Sequence, residues 1–508
     1  MNQLDDEKNK LKPFSSRIRI VTNFFSKKRV YSIILLALSS LFLYADQNLM
    51  APNLSAIAAT FGLNKNQKEI DLGGKVMFGY FCVGGAMSLI FGSLADQMNR
   101  IYLLVAAILV GEIPSFLLYT CTTFNMFFWL RLCTGISIGG TFPVLYSLVS
   151  DFFGTTERNT ALAFLTFILG LGQGLGQLTA GMLGPYYGWQ FPYILNAFAA
   201  ILCAGLVFFL VEEPGRRGPS SGTLFPDQEP PPPVRTSVVS SLQWKRFLVV
   251  LKVRTNQLVL IQALCGCIPW SIISVFMIDF FHNQKGLSVQ AATAVMMFFF
   301  VGCGIGNITG GVIGQRLTNR DSKHVPVLMG VCTVLSIIPL LYLVNVQIES
   351  EVIPQASNAI SLGVAFIGGI FAMMTSPNVG AIIMNVNQPE HQGTVFSFYT
   401  IANEMGKGLG PIIVAYIMSL LGNKVALTVC FMLFFVCAGF LFAIRWTVVQ
   451  DEEALCEIIN QRQQSGSLSC LASHGLNNNY LSLDNVYYAP PSSNGDTAIE
   501  TQQNNIPI

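Results

Sequence analysis

"YSIILLALSSLFLYADQNLM" occupies Tyr31–Met50. Its first twelve residues, Tyr31–Phe42, are almost all apolar or small. As a helix they rise only about 18 Å, short of the roughly 30 Å hydrocarbon core of a bilayer. The segment spans only if the helix continues through Leu43–Met50, and it then carries Asp46 and Gln47 into the membrane. An ionisable residue there costs about 2.5–3.5 kcal/mol on insertion scales, so it is expected to have a partner and a task.

The rest of the chain agrees with a membrane reading. Over 508 residues it is 52% hydrophobic and 11% charged, with a mean hydropathy of +0.54. Soluble proteins carry about a quarter charged residues. The deficit runs along the whole chain. Apolar stretches of spanning length recur at about 31–52, 74–95, 101–120, 125–150, 160–183 and 190–211, then at about 257–280, 290–314, 325–346, 359–384, 394–420 and 425–446. Lipid forces each segment to satisfy its own backbone, so these predict an all-α membrane protein of twelve transmembrane helices. No signal-peptide pattern precedes the first helix, which is expected to act as the targeting signal. The twelve cysteines are scattered without metal or redox spacing and read as small packing residues.

Lys and Arg set the orientation. Eight fall between Lys8 and Arg29 and seven between Arg216 and Arg254. Arg100, Arg158, Arg316, Arg320, Lys323, Arg445 and Arg462 join them on one side, against Lys65, Lys68, Lys285 and Lys424 on the other. Both termini and the central loop are therefore expected in the cytoplasm. The predicted organisation is a basic N-terminal segment (1–30), a six-helix half (31–211), a linker with an interfacial helix (212–256), a second six-helix half (257–446) and a disordered tail (447–508). The linker holds "QEPPPPVR", and its end, "SSLQWKRFLVVLKVR", mixes basic and apolar residues at helical spacing.

The two halves are related. "TFP" at Thr141–Pro143 matches "TSP" at Thr375–Pro377, an offset of 234 residues. At the same offset Gly172, Gly174, Gly176 and Gly188 fall on Gly406, Gly408, Gly410 and Gly422. Asp151 falls on Asn385 and Phe164 on Phe398. This is a parallel repeat of two six-helix units.

Between the second and third helices stands "GSLADQMNR", Gly92–Arg100. Gly92 allows helices to approach, Asp96 suits a helix N-terminus, and Arg100 suits a carboxylate below the fourth helix. Asp151, in "SDFFGTTER" beside Glu157 and Arg158, is the candidate partner. The corresponding loop of the second half, "GVIGQRLTNR", has Gln315 in place of the acid. The first loop resembles the Gly-x-Leu-x-Asp-x-x-x-Arg signature of the major facilitator superfamily, and Arg131 with Gly135 resembles its R-x-x-x-G signature. "LGQGLGQLTAG" (Leu171–Gly181) resembles the antiporter signature of that superfamily, with Gln177 where Pro is expected. "YADQNLMAPNL", "SLADQMNRIYLL" and "LVEEPGRRG" together resemble the Spinster branch.

The resemblance implies a major facilitator fold in which helices one, four, seven and ten line the cavity. The first half is expected to form a charged cytoplasmic gate, Gly92, Asp96, Arg100, Asp151, Glu157 and Arg158, that holds this side shut, with Asp96 at the start of helix eleven near Thr394. The resemblance implies transport of lysophospholipids or sphingoid lipids, often with protons. Two positions depart from that branch: Gln47 follows Asp46 where Arg is usual, and Ile138 stands near the position of a helix-four Glu.

Asp46 and Arg131 both lie in the outer halves of their helices and are candidate partners. One reading makes them a proton-coupling pair that opens during transport; the other makes them a static pair that fixes packing. Gln47, Trp270, Asn378, Glu404 and Lys407 are candidate cavity residues. Glu404 and Lys407, at i and i+3, either bind a zwitterion or neutralise each other. Glu112, in a helix expected to be peripheral, reads as a local polar contact. Lys75 reads as a snorkelling residue near a helix end. With only four His and no nucleophile–base or metal-ligand spacing, no catalysis, cofactor or nucleic-acid partner is expected. The function predicted is secondary active transport by alternating access, proton-coupled, of a lysolipid or sphingoid-like substrate. The alternatives are a porter of a small polar solute and a non-transporting sensor. Plasma and endolysosomal membranes are both compatible with the sequence.

Overall fold

The computed structural model describes residues 27–95, 97–152, 155–213, 250–346 and 354–472. Twelve long helices follow one another: α1 (Lys27–Gln47), α2 (Met77–Ala95), α3 (Arg100–Leu117), α4 (Phe124–Phe152), α5 (Thr155–Tyr187), α6 (Gln190–Leu210), α7 (Arg254–Lys285), α8 (Val289–Thr318), α9 (His324–Asn345), α10 (Pro354–Met373, continued after a break by Ser376–Val386), α11 (Pro389–Leu421) and α12 (Asn423–Ala472). Eleven spans are long and apolar enough to cross a membrane among the described residues. The long helix outside that set is α5, whose first turns have side chains that lie outside the described residues. The chain is a multi-pass membrane protein.

Helix ends depart from the hydropathy limits where local chemistry intervenes. α1 stops at Gln47, and a short 3-10 turn at Ala51–Asn53, with Pro52 in it, leads into the helix Leu54–Thr60. Asn64 and Gln67 form a reciprocal capping box. A π-helical stretch, Lys68–Val76, then leads into α2, so this element begins about six residues earlier than hydropathy indicates. α10 breaks just before Pro377, which has no N–H to donate. The backbone N–H of Asn378 donates to Thr375, so the Met374 carbonyl takes the Asn378 side chain instead, at 2.9 Å.

α12 corrects the expected start of the tail at 447. It stays helical through Ala472, because "DEEALCEIINQRQQ" is rich in helix formers although it is too polar to count as a span. Asp451 on this continuation accepts a hydrogen bond from the Thr255 backbone N–H at the start of α7, 2.8 Å away. The described residues up to Leu455 form one compact unit. The linker helix expected before residue 250 and the tail beyond residue 472 lie outside the described residues, as does the basic segment through residue 26.

Packing uses the repeated glycines in the same way in both halves. A methyl at Gly172 or Gly176 of α5 would overlap the Leu41 or Ala45 carbonyl of α1. In the second half a methyl at Gly406 of α11 would overlap the Leu264 carbonyl of α7, and one at Gly410 would overlap Ser271. The last repeat pair, Gly188 and Gly422, both take left-handed backbone angles, φ +86° and +82°. Between α2 and α4 the tightest approach is at Gly139, where a Cβ would overlap the Gly84 carbonyl. Gly92 is not such a position: its Cβ would meet Pro143 at an ordinary 3.8 Å. The close approach occurs about two turns away along α2.

Candidate functional site

α1, α3 and α4 bring three charged side chains together in the first half. Arg131 Nη1 donates to Asp46 Oδ2 at 2.7 Å, and Nη2 reaches the Asp46 carbonyl at 3.4 Å. Ser115 Oγ on α3 donates to the other Asp46 oxygen at 2.7 Å. The Arg131 guanidinium lies 5.2 Å from the Tyr80 ring centroid and 5.3 Å from that of Tyr193. Asp46 and Arg131 are 1% and 0% exposed. A buried pair is held by such geometry, and truncating one partner costs about 3–5 kcal/mol because the other charge stays behind. The two residues singled out as partners therefore do meet.

Glu112 corrects its reading as a local contact on a peripheral helix. It is 0% exposed and within electrostatic reach of both Asp46 and Arg131. α3 turns it inward because Gly111 packs against Ser137 and Thr134 of α4 without room for a side chain. The charge at mid-helix was visible in the sequence, whereas the face it occupies was not.

A cavity of about 560 Å³ lies between the halves. That is within the roughly 300–1,000 Å³ of small-molecule sites. Its walls come from α1, α2, α5 and α7–α12, which corrects the expectation for helix four: of helices one, four, seven and ten, α4 contributes none of the described lining residues. Gln47, Trp270 and Lys407 line it. Lys407 is the one charged residue among the described lining residues. Its Nζ donates to Glu404 Oε1 at 2.8 Å and sits 5.8 Å from the Phe81 ring centroid. Glu404 thus acts on the cavity through Lys407. Asn378 does not line the cavity: it is buried and donates to the Gly310 and Met374 carbonyls, tying the α10 break to α8. Along α5 and α8 the lining includes Leu171, Val301, Ile305 and Ile308, all exposed apolar side chains, Ile308 by 60%.

Each end of the bundle carries polar ties. At the end that bears Arg100, the Arg100 backbone N–H and Nε donate to the two oxygens of Glu213 at 2.7 and 2.8 Å, and Nη1 donates to Ser147 Oγ at 3.0 Å. Glu213, just past α6 in the "LVEEPGRRG" stretch, is a partner that the sequence reading did not assign. Asp96 lies outside the described residues, as do the side chains of Asp151, Glu157 and Arg158. At the opposite end, Lys68 Nζ pairs with Asp279 Oδ2 of α7 at 2.7 Å. Ser55 Oγ and Asn283 Nδ2 donate to Asp279 Oδ1 at 2.6 and 2.8 Å. This tie joins the two halves. Nothing in the spacing of residues 55, 68 and 279 signals it; only an acid late in an apolar helix does. Lys75 pairs with Asp71 at 2.6 Å and is largely exposed.

Two related helical halves, a cavity between them and a buried ion pair beside it define a class of membrane protein with a site at the interface of its repeats. The Major Facilitator Superfamily profile matches residues 36–411, and the chain belongs to that superfamily. A cis,cis-muconate transport protein of Acinetobacter baylyi is 26% identical over 281 residues, 54% of this chain and 64% of that protein. Protein spinster homolog 1 of Xenopus laevis is 24% identical over 217 residues, 42% of this chain and 40% of that protein. Synaptic vesicle glycoprotein 2A of Homo sapiens is 28% identical over 147 residues, 28% of this chain and 20% of that protein. The chain thus spans less than two thirds of the length of each of these relatives. Among solved structures, a bacterial homologue of the human lysosomal transporter Spinster, inward-facing and unoccupied, aligns with TM-score 0.69 and 16% identity over 84% of this chain and 98% of that one. The Spinster-like character read from residues 44–54, 93–104 and 210–218 is thus matched by a Spinster relative in sequence and by a Spinster homologue in fold.

Proposed function

We propose that the chain is a secondary active transporter working by alternating access, proton-coupled through Asp46 and Arg131, for a lysolipid or sphingoid-like amphipathic substrate. The observation that carries the substrate reading is the seam between α5 and α8. There the cavity wall is made of exposed apolar residues, which suits entry of an acyl chain from the bilayer. Lys407 and the neighbouring amides Gln47 and Asn403 offer the head group a cation and hydrogen-bond partners. On this reading both termini face the cytoplasm, and the ends of the bundle act as alternating gates: Gly92, Asp96, Arg100, Asp151, Glu157 and Arg158 at one, Lys68 and Asp279 at the other.

A second reading is supported by the muconate transport relative and by the same polar wall: a porter of a small polar organic solute. Exchange of labelled lysophosphatidylcholine between the medium and vesicles containing the protein separates the two. Exchange that slows at least tenfold in Lys407→Gln is expected. Exchange of labelled muconate but not of lysolipid supports the polar-solute reading instead.

A further inference from the structure

Glu112 is a buried acid whose surroundings leave it without a counter-charge of its own. Neither carboxyl oxygen has a hydrogen-bond partner among the described residues. An ionised carboxylate held out of water without a partner is far more costly than a neutral acid. The helices packed against α3 are α1, α2, α4 and α6; the charged groups acting on Glu112 are Asp46 of α1 and Arg131 of α4, while Tyr80 of α2 and Tyr193 of α6 lie against the Arg131 guanidinium. Arg131 is the single cation among them, and it is committed to Asp46 at 2.7 Å with the two tyrosine rings about its guanidinium. Ser115, one turn along α3 from Glu112, spends its hydroxyl on the second Asp46 oxygen. Two carboxyl groups thus share one guanidinium, and a single proton makes the cluster neutral.

We propose that Glu112 holds that proton, and that Asp46, Glu112 and Arg131 form a one-proton, two-carboxyl unit. When the Glu112 O–H bond breaks and the proton passes to water, two carboxylates and one guanidinium remain, a buried net charge of one. Their repulsion favours an open cluster, and rebinding a proton restores neutrality and closure. Gln47, adjacent to Asp46 in the chain, lines the cavity. That this proton is the one coupled to transport rests on the proton-coupled reading above; protonation of Glu112 does not.

Infrared difference spectroscopy on the full-length protein in nanodiscs at neutral pH tests the protonation without any substrate. The expected result is a carbonyl stretch of a protonated carboxylic acid that shifts in D2O, shifts again when the protein carries carbon-13 glutamate, and is lost in Glu112→Gln. In Glu112→Asp an acid band should remain but no longer respond to labelled glutamate, which settles the assignment should the Gln variant fold poorly. A wild type without such a band overturns the proposal. So does a band that ignores labelled glutamate, or one that persists in Glu112→Gln or still responds to the label in Glu112→Asp. Failure of lysolipid exchange with this band intact would count against the transport reading alone.

Discussion

Gly176 and Gly410 occupy matching positions of the two halves, and in each the missing side chain lets α5 or α11 ride on a neighbouring helix, at Ala45 of α1 or Ile268 and Ser271 of α7. The contact at Gly176 lies one residue from Asp46, so it also holds the ion pair in register. Gly176→Val is expected to destabilise the protein by about 1–3 kcal/mol, as overpacking does. Gly205→Val, on α6 where a Cβ meets nothing within 4 Å, should leave stability nearly unchanged. Thermal unfolding of the two variants in detergent checks the contrast; equal melting temperatures would remove the packing argument. The individual residues were unevenly legible. Asp46 and Arg131 were visible as partners because each is an isolated charge in the outer half of an apolar helix. Glu112 was equally visible as a charge, but its orientation depends on Gly111 nesting against Ser137, which no periodicity reveals.

Helices as elements were nearly all readable, because a lipid environment ties hydropathy to backbone satisfaction. α5 is the instructive case. Gly and Gln interrupt its apolar run, and the 234-residue repeat identifies it as the counterpart of α11. The continuation of α12 past Trp446 was not readable from hydropathy, since it is a polar helix held by contacts with other elements. Asp451 accepts from the Thr255 N–H in the first turn of α7, and Thr447 Oγ1 meets Thr255 Oγ1 at 2.8 Å. A carboxylate there also complements the helix dipole. Asp451→Ala should therefore cost about 0.5–2 kcal/mol, the range of a lost helix cap. A variant with unchanged unfolding temperature would show that the continuation bears no load on α7.

The whole bundle is tied at the end bearing Asp279 by contacts between its halves, and the long separations of Ser55, Lys68 and Asp279 in sequence kept that tie from being foreseen. Its side chains are 11% exposed for Lys68 and 6% for Asp279, so breaking it should be felt in the conformational balance. Asp279→Asn is expected to raise access to the cavity from that end. Asp96→Asn, at the other gate of the proposed cycle, should raise access from the Arg100 end. Labelling of a single cavity cysteine by impermeant thiol reagents, in a background with the native cysteines replaced, reads both shifts. Unchanged labelling in both variants would mean that neither set of charges acts as a gate.

The most direct test of the account is uptake of labelled lysophosphatidylcholine into vesicles containing the protein, with and without a pH gradient, for wild type and Asp46→Asn. The account predicts gradient-driven accumulation by the wild type and, in the variant, loss of accumulation with exchange retained. Uptake by folded wild type that ignores the gradient, or accumulation that survives in Asp46→Asn, would contradict it.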